Sequence, residues 1–230
     1  MSVQLERDEA FWRLIGALEQ AGVLRHVMIV GTWAEWLYTD YFEQIAGVGE
    51  VRVDIGKTHD IDVYFRDYLV DIDGAERLKE DLYNAGFLPG SEYKGTFFHG
   101  GIEVEFLAGT AGAGEGIIEI PSVGINAERL ADLSMLDPAW VEKRGYRICV
   151  PTPASYVTQK LDINPTRRPE NKRSQDLRKV AVLLQAMAGV PGQMESLEML
   201  LDKLPSSKRD RVLEVAKANS IALPLEHGNN

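Results

Sequence analysis

Between Thr58 and Phe65 the chain reads Thr-His-Asp-Ile-Asp-Val-Tyr-Phe, and this alternation of acids with apolar residues constrains the fold more than any other segment. Successive side chains of a strand point to opposite faces, so Asp60 and Asp62 share one face and Ile61 and Val63 the other. Two neighbouring carboxylates repel each other and make a poor core, but their hard anionic oxygens form a good cradle for Mg²⁺. Upstream, His26 to Gly31 is a short apolar strand ending at Gly31-Thr32, and a helical run follows from Trp33. A strand, Gly-Thr, a helix and then a strand with Asp-x-Asp is an order that suits nucleotide chemistry.

With 35 acids in 230 residues, acid-x-acid recurs by chance, at Glu6/Asp8, Asp71/Asp73 and Glu103/Glu105. A solvated strand face is the plain alternative for each. Ile61, Val63 and Phe65 mark the first pair as lying on a strand packed on one side, whereas Asp71-Ile-Asp73 beside Gly74 reads as a loop and helix N-cap. Phe97-Phe98, His99-Gly-Gly101 and Ile102 to Leu107 read as two strands joined by a tight turn. Glu103 and Glu105 then share a face. If this strand lies beside the one carrying Asp60 and Asp62, three or four carboxylates converge, which is tolerable only with bound cations or raised pKa values. Glu103 reads as a water-facing acid of an amphipathic edge strand, Glu105 as functional.

Gly31-Thr32, Asp60-Ile-Asp62 and Glu105 together resemble the Gly-Gly/Ser, Asp-x-Asp, Asp/Glu pattern of the DNA polymerase β-like nucleotidyltransferases. The chain is more similar to their AbiEii/MenT-type, toxin-like bacterial branch. There a long helix separates the Gly turn from the acids, as Trp33 to Ile45 does here. Val150 to Leu161 resembles that branch's proline-started helix carrying a lysine, Lys160. Lys172-Arg173-x-x-Asp176-Leu177 resembles its Lys/Arg-x-x-Asp motif. The resemblance spans residues 26 to 185. Two departures stand out: Thr32 replaces Gly or Ser and its β-branch crowds the turn, and the third acid is Glu where many members have Asp.

The resemblance implies phosphoryl transfer from an NTP with Mg²⁺ or Mn²⁺ held by Asp60, Asp62 and Glu105. It implies Gly31, Thr32, Thr58, Lys160 and Asp176 as the substrate-binding set. Asp176 would orient Lys160 toward the triphosphate. The acceptor would be a tRNA, a protein or a small molecule, and an antitoxin protein is a partner on the toxin reading. The alternatives are an aminoglycoside-type small-molecule adenylyltransferase and a degenerate module that binds a nucleotide or partner without turnover.

The net charge of −10 argues against a globally basic nucleic-acid surface. The one dense cationic stretch, Arg167, Arg168, Lys172, Arg173, Arg178 and Lys179, is a solvated helix face or, failing that, the place for a polyphosphate or RNA contact. Lone Cys149, in an apolar run, excludes an internal disulfide framework, reads as a buried structural thiol and fits a cytoplasmic protein. His59, directly before Asp60, reads as a turn residue, with orienting a substrate as the alternative. Ala111 to Gly116 reads as a hairpin loop, since no Lys-Ser/Thr follows it. No apolar stretch reaches membrane-spanning length, and the N-terminus lacks a signal-like apolar region.

Helices are expected at Glu9–Gln20, Trp33–Ile45, Ala75–Asn84, Ala154–Asp162, Gln175–Met187 and Met194–Lys203, with a last one capped by Ser206-Ser207 and running to Asn219. Strands are expected at Val23–Val30, Ile61–Phe65, Thr96–Phe98, Ile102–Leu107 and Gly116–Ile120. Trp33, Trp36, Leu37 and Tyr41 form an aromatic stripe that belongs to the core. The expected fold is an α/β (α+β) nucleotidyltransferase domain with a small mixed sheet over residues 1–150, a helical domain over 151–225 with the active site in the cleft between them, and a disordered tail at 226–230.

Overall fold

Phe11, Leu14, Ile15 and Leu18 recur at helical spacing, and all four are fully buried on α1 (Val3–Gln20). The computed structural model describes residues 3–46, 59–90, 95–109, 114–130, 133 and 135–224. The expectations placed on Thr58, on 111–113 and on the 226–230 tail lie outside the described residues. Within them the chain is mixed α/β, with a helical C-terminal region and no helix long and apolar enough to cross a membrane. It divides into two compact units: Met1–Leu37, Gly56–Ser134 and Pro138–Val150 form the first, and Tyr38–Ile55, Met135–Asp137 and Pro151–Asn230 the second.

The first unit is built on a sheet. Its strands are β1 (Val27–Val30), β2 (Asp60–Phe65), β3 (Leu88–Pro89), β4 (Thr96–His99), β5 (Ile102–Ala108), β6 (Gly116–Ile120) and β7 (Ile125–Arg129). The order β1-β2-β5-β4-β3 places β2 and β5 at the centre, parallel to each other, and β7 joins the far end of β5 and carries β6. Gly100 and Gly101, both at positive φ, make the two-residue turn that folds β4 back on β5 with His99 opposite Ile102. One face of the sheet is apolar: Ile61, Val63, Phe65, Phe97, Val104 and Phe106 are fully buried or nearly so. The helix α3 (Leu78–Asn84) covers this face through Tyr83, 6.5 Å from the Phe97 ring, and packs beside α1.

A hairpin of β8 (Pro138–Lys143) and β9 (Tyr146–Pro151) completes this unit, and buried Cys149 lies on β9 with its thiol pushed up to about 11 by burial. Trp12 of α1 stacks on Tyr146 at 6.2 Å, and Phe11 stacks on Trp33 at 4.6 Å. Lys143 and Arg144 each sit 4.7 Å over an indole, Trp36 and Trp12 respectively. Trp33 therefore belongs to the core, with Trp36 half-buried at its edge.

In the second unit, α4 (Pro153–Ile163) is buried along its whole length by α5 (Glu170–Ala188), α6 (Gln193–Lys203) and α7 (Ser206–Ala218). Thr152 caps it: its Oγ1 accepts from the Ser155 N–H at 3.2 Å, and Pro153 starts the first turn. Arg211 Nε of α7 donates to Asp162 Oδ1 at 2.6 Å.

Several boundaries differ from the sequence expectation. Leu24–His26 is a 3₁₀ turn rather than strand, because pairing with β2 begins only at Val27, opposite Phe65. The helix α2 (Gly31–Ala46) opens at Gly31 itself. Ala75–Arg77 is also 3₁₀, and Gly74 precedes it with no side-chain cap from the neighbouring aspartates. The helix α5 begins straight after Pro169, five residues before the expected Gln175. Ser206 is the first residue of α7 and Pro205 takes the cap position. Strands β3, β7, β8 and β9 are not among those expected.

Candidate active site

The alternation of β2 and the parallel register of β2 on β5 create one acidic face. Asp60 pairs with Glu103 and Asp62 with Glu105, so neighbouring carboxylates stand on strands about 4.8 Å apart. On the other side of β2, Val30 pairs with Asp62. That pairing brings the Asp62 carboxylate over Gly31, which has φ +66°; a Cβ built there would fall on Asp62 Oδ2. Gly31 is thus required twice, by its backbone and by the carboxylate that fills the space. Gly31→Ala is expected to cost about 1–2 kcal/mol from the left-handed backbone alone and to displace Asp62. Thermal melting and NTP affinity should both fall, and unchanged affinity would detach Gly31 from the site.

Glu105 is half-buried, and its carboxyl is pushed up to about 7 by burial first and then by Asp62, Glu103, Asp60 and Glu128. Asp60 is exposed, Asp62 and Glu103 half-buried. The strand carrying Glu103 is not an edge strand: β4 flanks it, placing Thr96 opposite Glu105 and Phe98 opposite Glu103. Glu128 was not anticipated. It reaches the face because β7 runs parallel to β5, with Glu128 beside Leu107, two residues past Glu105. Its signal was in the sequence, since Ile125 and Ala127 are buried and alternate with Asn126 and Glu128.

Hard anionic oxygens in a crowd that holds a proton on Glu105 up to about 7 fit a divalent cation by donor chemistry and by charge. Among the described residues no three carboxylate, imidazole or thiol groups are already gathered as an ion site.

The Nucleotidyltransferase family matches this chain over residues 9–193. The chain belongs to that family. No curated protein matches it. Among solved structures, the crystal structure of an antigenic nucleotidyltransferase-like protein from Paracoccidioides brasiliensis is similar at 17% identity and a TM-score of 0.45, covering 92% of this chain and 93% of that one.

Two further features concern residues singled out in the sequence. His59, directly before β2, is more than a turn residue. The buried Arg7 of α1 donates through Nη2 to its Nε2 at 2.7 Å. The same Nη2 lies 3.1 Å from Nδ1, which is itself 3.3 Å from Gly101 O. The Glu103 N–H donates to His59 O at 2.8 Å. Arg7 and His59 thereby tie α1 to the ends of β2 and β5 that bear the acids. Nothing in the sequence around Arg7 announces this contact. In the second unit, Lys160 and Asp176 are brought together. Lys160 is buried rather than a surface lysine, with Nζ 3.3 Å from Asp176 Oδ1 and 5.4 Å from the Tyr156 ring centroid.

Proposed function

We propose that the acidic face transfers a nucleoside monophosphate from an NTP to an acceptor hydroxyl, with Mg²⁺ or Mn²⁺ held by Asp60, Asp62 and Glu105. The supporting observation is the parallel pairing of β2 with β5, which stands Asp62 beside Glu105 and over Gly31. When bound, the cation supplies charge stabilisation to the phosphoryl oxygens. Gly31 lets the phosphates approach the backbone at the start of α2, where N–H groups favour negative charge, and the Thr32 hydroxyl adds a donor. Glu105, standing beside Asp62 on the acidic face, would take the acceptor's proton. The acceptor oxygen bonds to the α-phosphorus, the bond from that phosphorus to the bridging oxygen breaks, and pyrophosphate leaves with the electron pair. The hydroxyl proton passes to Glu105.

We place the chain with the AbiEii/MenT-type, toxin-like branch on the motifs around Lys160 and Asp176, which makes a tRNA, protein or small-molecule acceptor and an antitoxin partner part of the same proposal. The test is incubation with each labelled NTP, Mg²⁺ or Mn²⁺, and total tRNA, total protein or an aminoglycoside. A labelled acceptor that disappears in Asp62→Asn supports the reading. NTP binding without any labelled acceptor would make the chain a binding module, and labelling of the aminoglycoside alone a small-molecule enzyme.

Lys160 is proposed to serve the triphosphate, held by Asp176. Removing one member of a buried ion pair costs about 3–5 kcal/mol when nothing replaces it; here Arg167 remains on Asp176 at 3.3 Å, so a smaller loss is expected for Lys160→Met. NTP affinity, measured where the variant is folded, should fall clearly. Unchanged affinity and rate would leave Lys160 a packing residue.

A further inference from the structure

Past the end of α4 the chain turns through Asn164–Thr166 and enters α5 at Glu170, lining a half-open pocket of about 270 Å³. Its walls are Pro165, Arg167, Arg168, Pro169, Glu170 and Arg173. Three guanidiniums against one carboxylate leave these walls at +2 (three Arg, one Glu), in a chain with a net charge of −10. Arg167 is held from behind: its Nε lies 3.3 Å from Oδ2 of Asp176, whose side chain is 7% exposed and whose other oxygen faces Lys160. One buried carboxylate is therefore shared by two cations. Neither Arg168 nor Arg173 makes an ion pair among the described residues.

Like charges gathered in one wall repel, and an anion between them relieves the repulsion. Guanidinium forks match phosphate oxygens in paired, charge-assisted hydrogen bonds. The pocket also opens at the N-terminus of the 19-residue α5, whose first N–H groups favour negative charge. Its volume falls just below the roughly 300–1,000 Å³ of sites for drug-sized ligands, which suits a phosphate group with its ester carbon rather than a whole nucleotide. We infer that this pocket is a phosphate-binding site, taking either a small free phosphate compound or a backbone phosphate of RNA. The inference uses residues of the second unit only and does not depend on the acidic face being catalytic.

The test compares the full-length chain with its Arg168→Gln/Arg173→Gln variant. Inorganic pyrophosphate is titrated by calorimetry, and a short labelled single-stranded RNA by fluorescence polarisation between about 50 and 200 mM salt. The variant should melt as the wild type does, because Arg168 is exposed and Arg173 half-buried. It should bind the effective probe on the order of tenfold or more weakly, and for RNA its salt slope should flatten by about 1.4, at about 0.7 per lost contact on a single strand. Pyrophosphate binding that depends on the two arginines identifies the small ligand, and RNA binding that free pyrophosphate does not displace identifies the backbone. Equal affinities of wild type and variant for both probes, or binding of neither, overturns the inference. Asp62→Asn should retain this binding while losing transfer, which separates a failure here from a failure of the acidic face.

Discussion

Asp62→Asn is expected to lower nucleotidyl transfer by about 10³-fold or more and to abolish Mg²⁺-NTP binding, with the melting temperature held or raised. Asp62 sits between Glu105 on the paired strand and Gly31 on the other side, and its charge is the largest electrostatic contribution, after burial, holding Glu105 protonated. Asn fills the same space over Gly31 without the charge. The metal-free protein should lose repulsion as the enzyme loses its cation. Asp60→Asn should act in the same direction with a smaller gain in stability, since Asp60 is exposed at the start of β2. Transfer of labelled nucleotide and calorimetric melting measure both effects, and a wild-type rate in Asp62→Asn would sink the assignment.

Glu105→Gln should cost on the order of 10²–10⁴-fold in rate, whereas Glu103→Gln should be mild. The two differ because Glu105 faces Asp62 directly, whereas Glu103 faces exposed Asp60. Equal, severe losses would mean that both acids serve the cation. The pH dependence gives an independent reading. The folded Glu105 carboxyl keeps its proton up to about 7, whereas the unfolded one releases it near 4.5, so between those values the folded state binds more protons. Its contribution to stability is present below 4.5 and is lost as pH rises through about 7. Metal-free Glu105→Gln should therefore be more stable than wild type above neutral pH, by about 1 kcal/mol once solvent screening of a half-exposed group is allowed for. Mg²⁺ affinity should rise with pH across the same window, because a bound cation must displace the proton. Affinity that is flat from slightly acid to slightly alkaline pH would remove Glu105 from the ligand set.

The residues that make this site differ in how far their neighbours in sequence reveal them. Asp60-Ile-Asp62 declares itself because strand alternation is a local property: the same backbone that buries Ile61 must turn both carboxylates the other way. The Gly100-Gly101 turn is equally local, and so is the Thr152 cap that starts α4. Helix faces such as Phe11, Leu14, Ile15 and Leu18 follow from spacing. Boundaries are less legible: Val23 and Leu24 are as apolar as Val27–Val30, yet Leu24–His26 has no strand beside it and turns as a 3₁₀ helix.

What the chain's own order determined was thus the type of the elements that carry Asp60, Asp62, Glu105 and Lys160, and the side on which those acids stand. Tertiary structure alone decided which faces meet. Asp62 and Glu105 are far apart in sequence and adjacent only because β2 and β5 pair in parallel, a choice set by burying Ile61, Val63, Val104 and Phe106 together. Glu128 joins them through the pairing of β7 with β5, and Arg7 reaches His59 only because α1 lies against the ends of those strands. Lys160 carries no local sign of burial in the sequence and is buried because three helices close around α4. Side-chain direction follows from the local backbone, but burial and charge crowding are sums over neighbours that only the folded chain supplies.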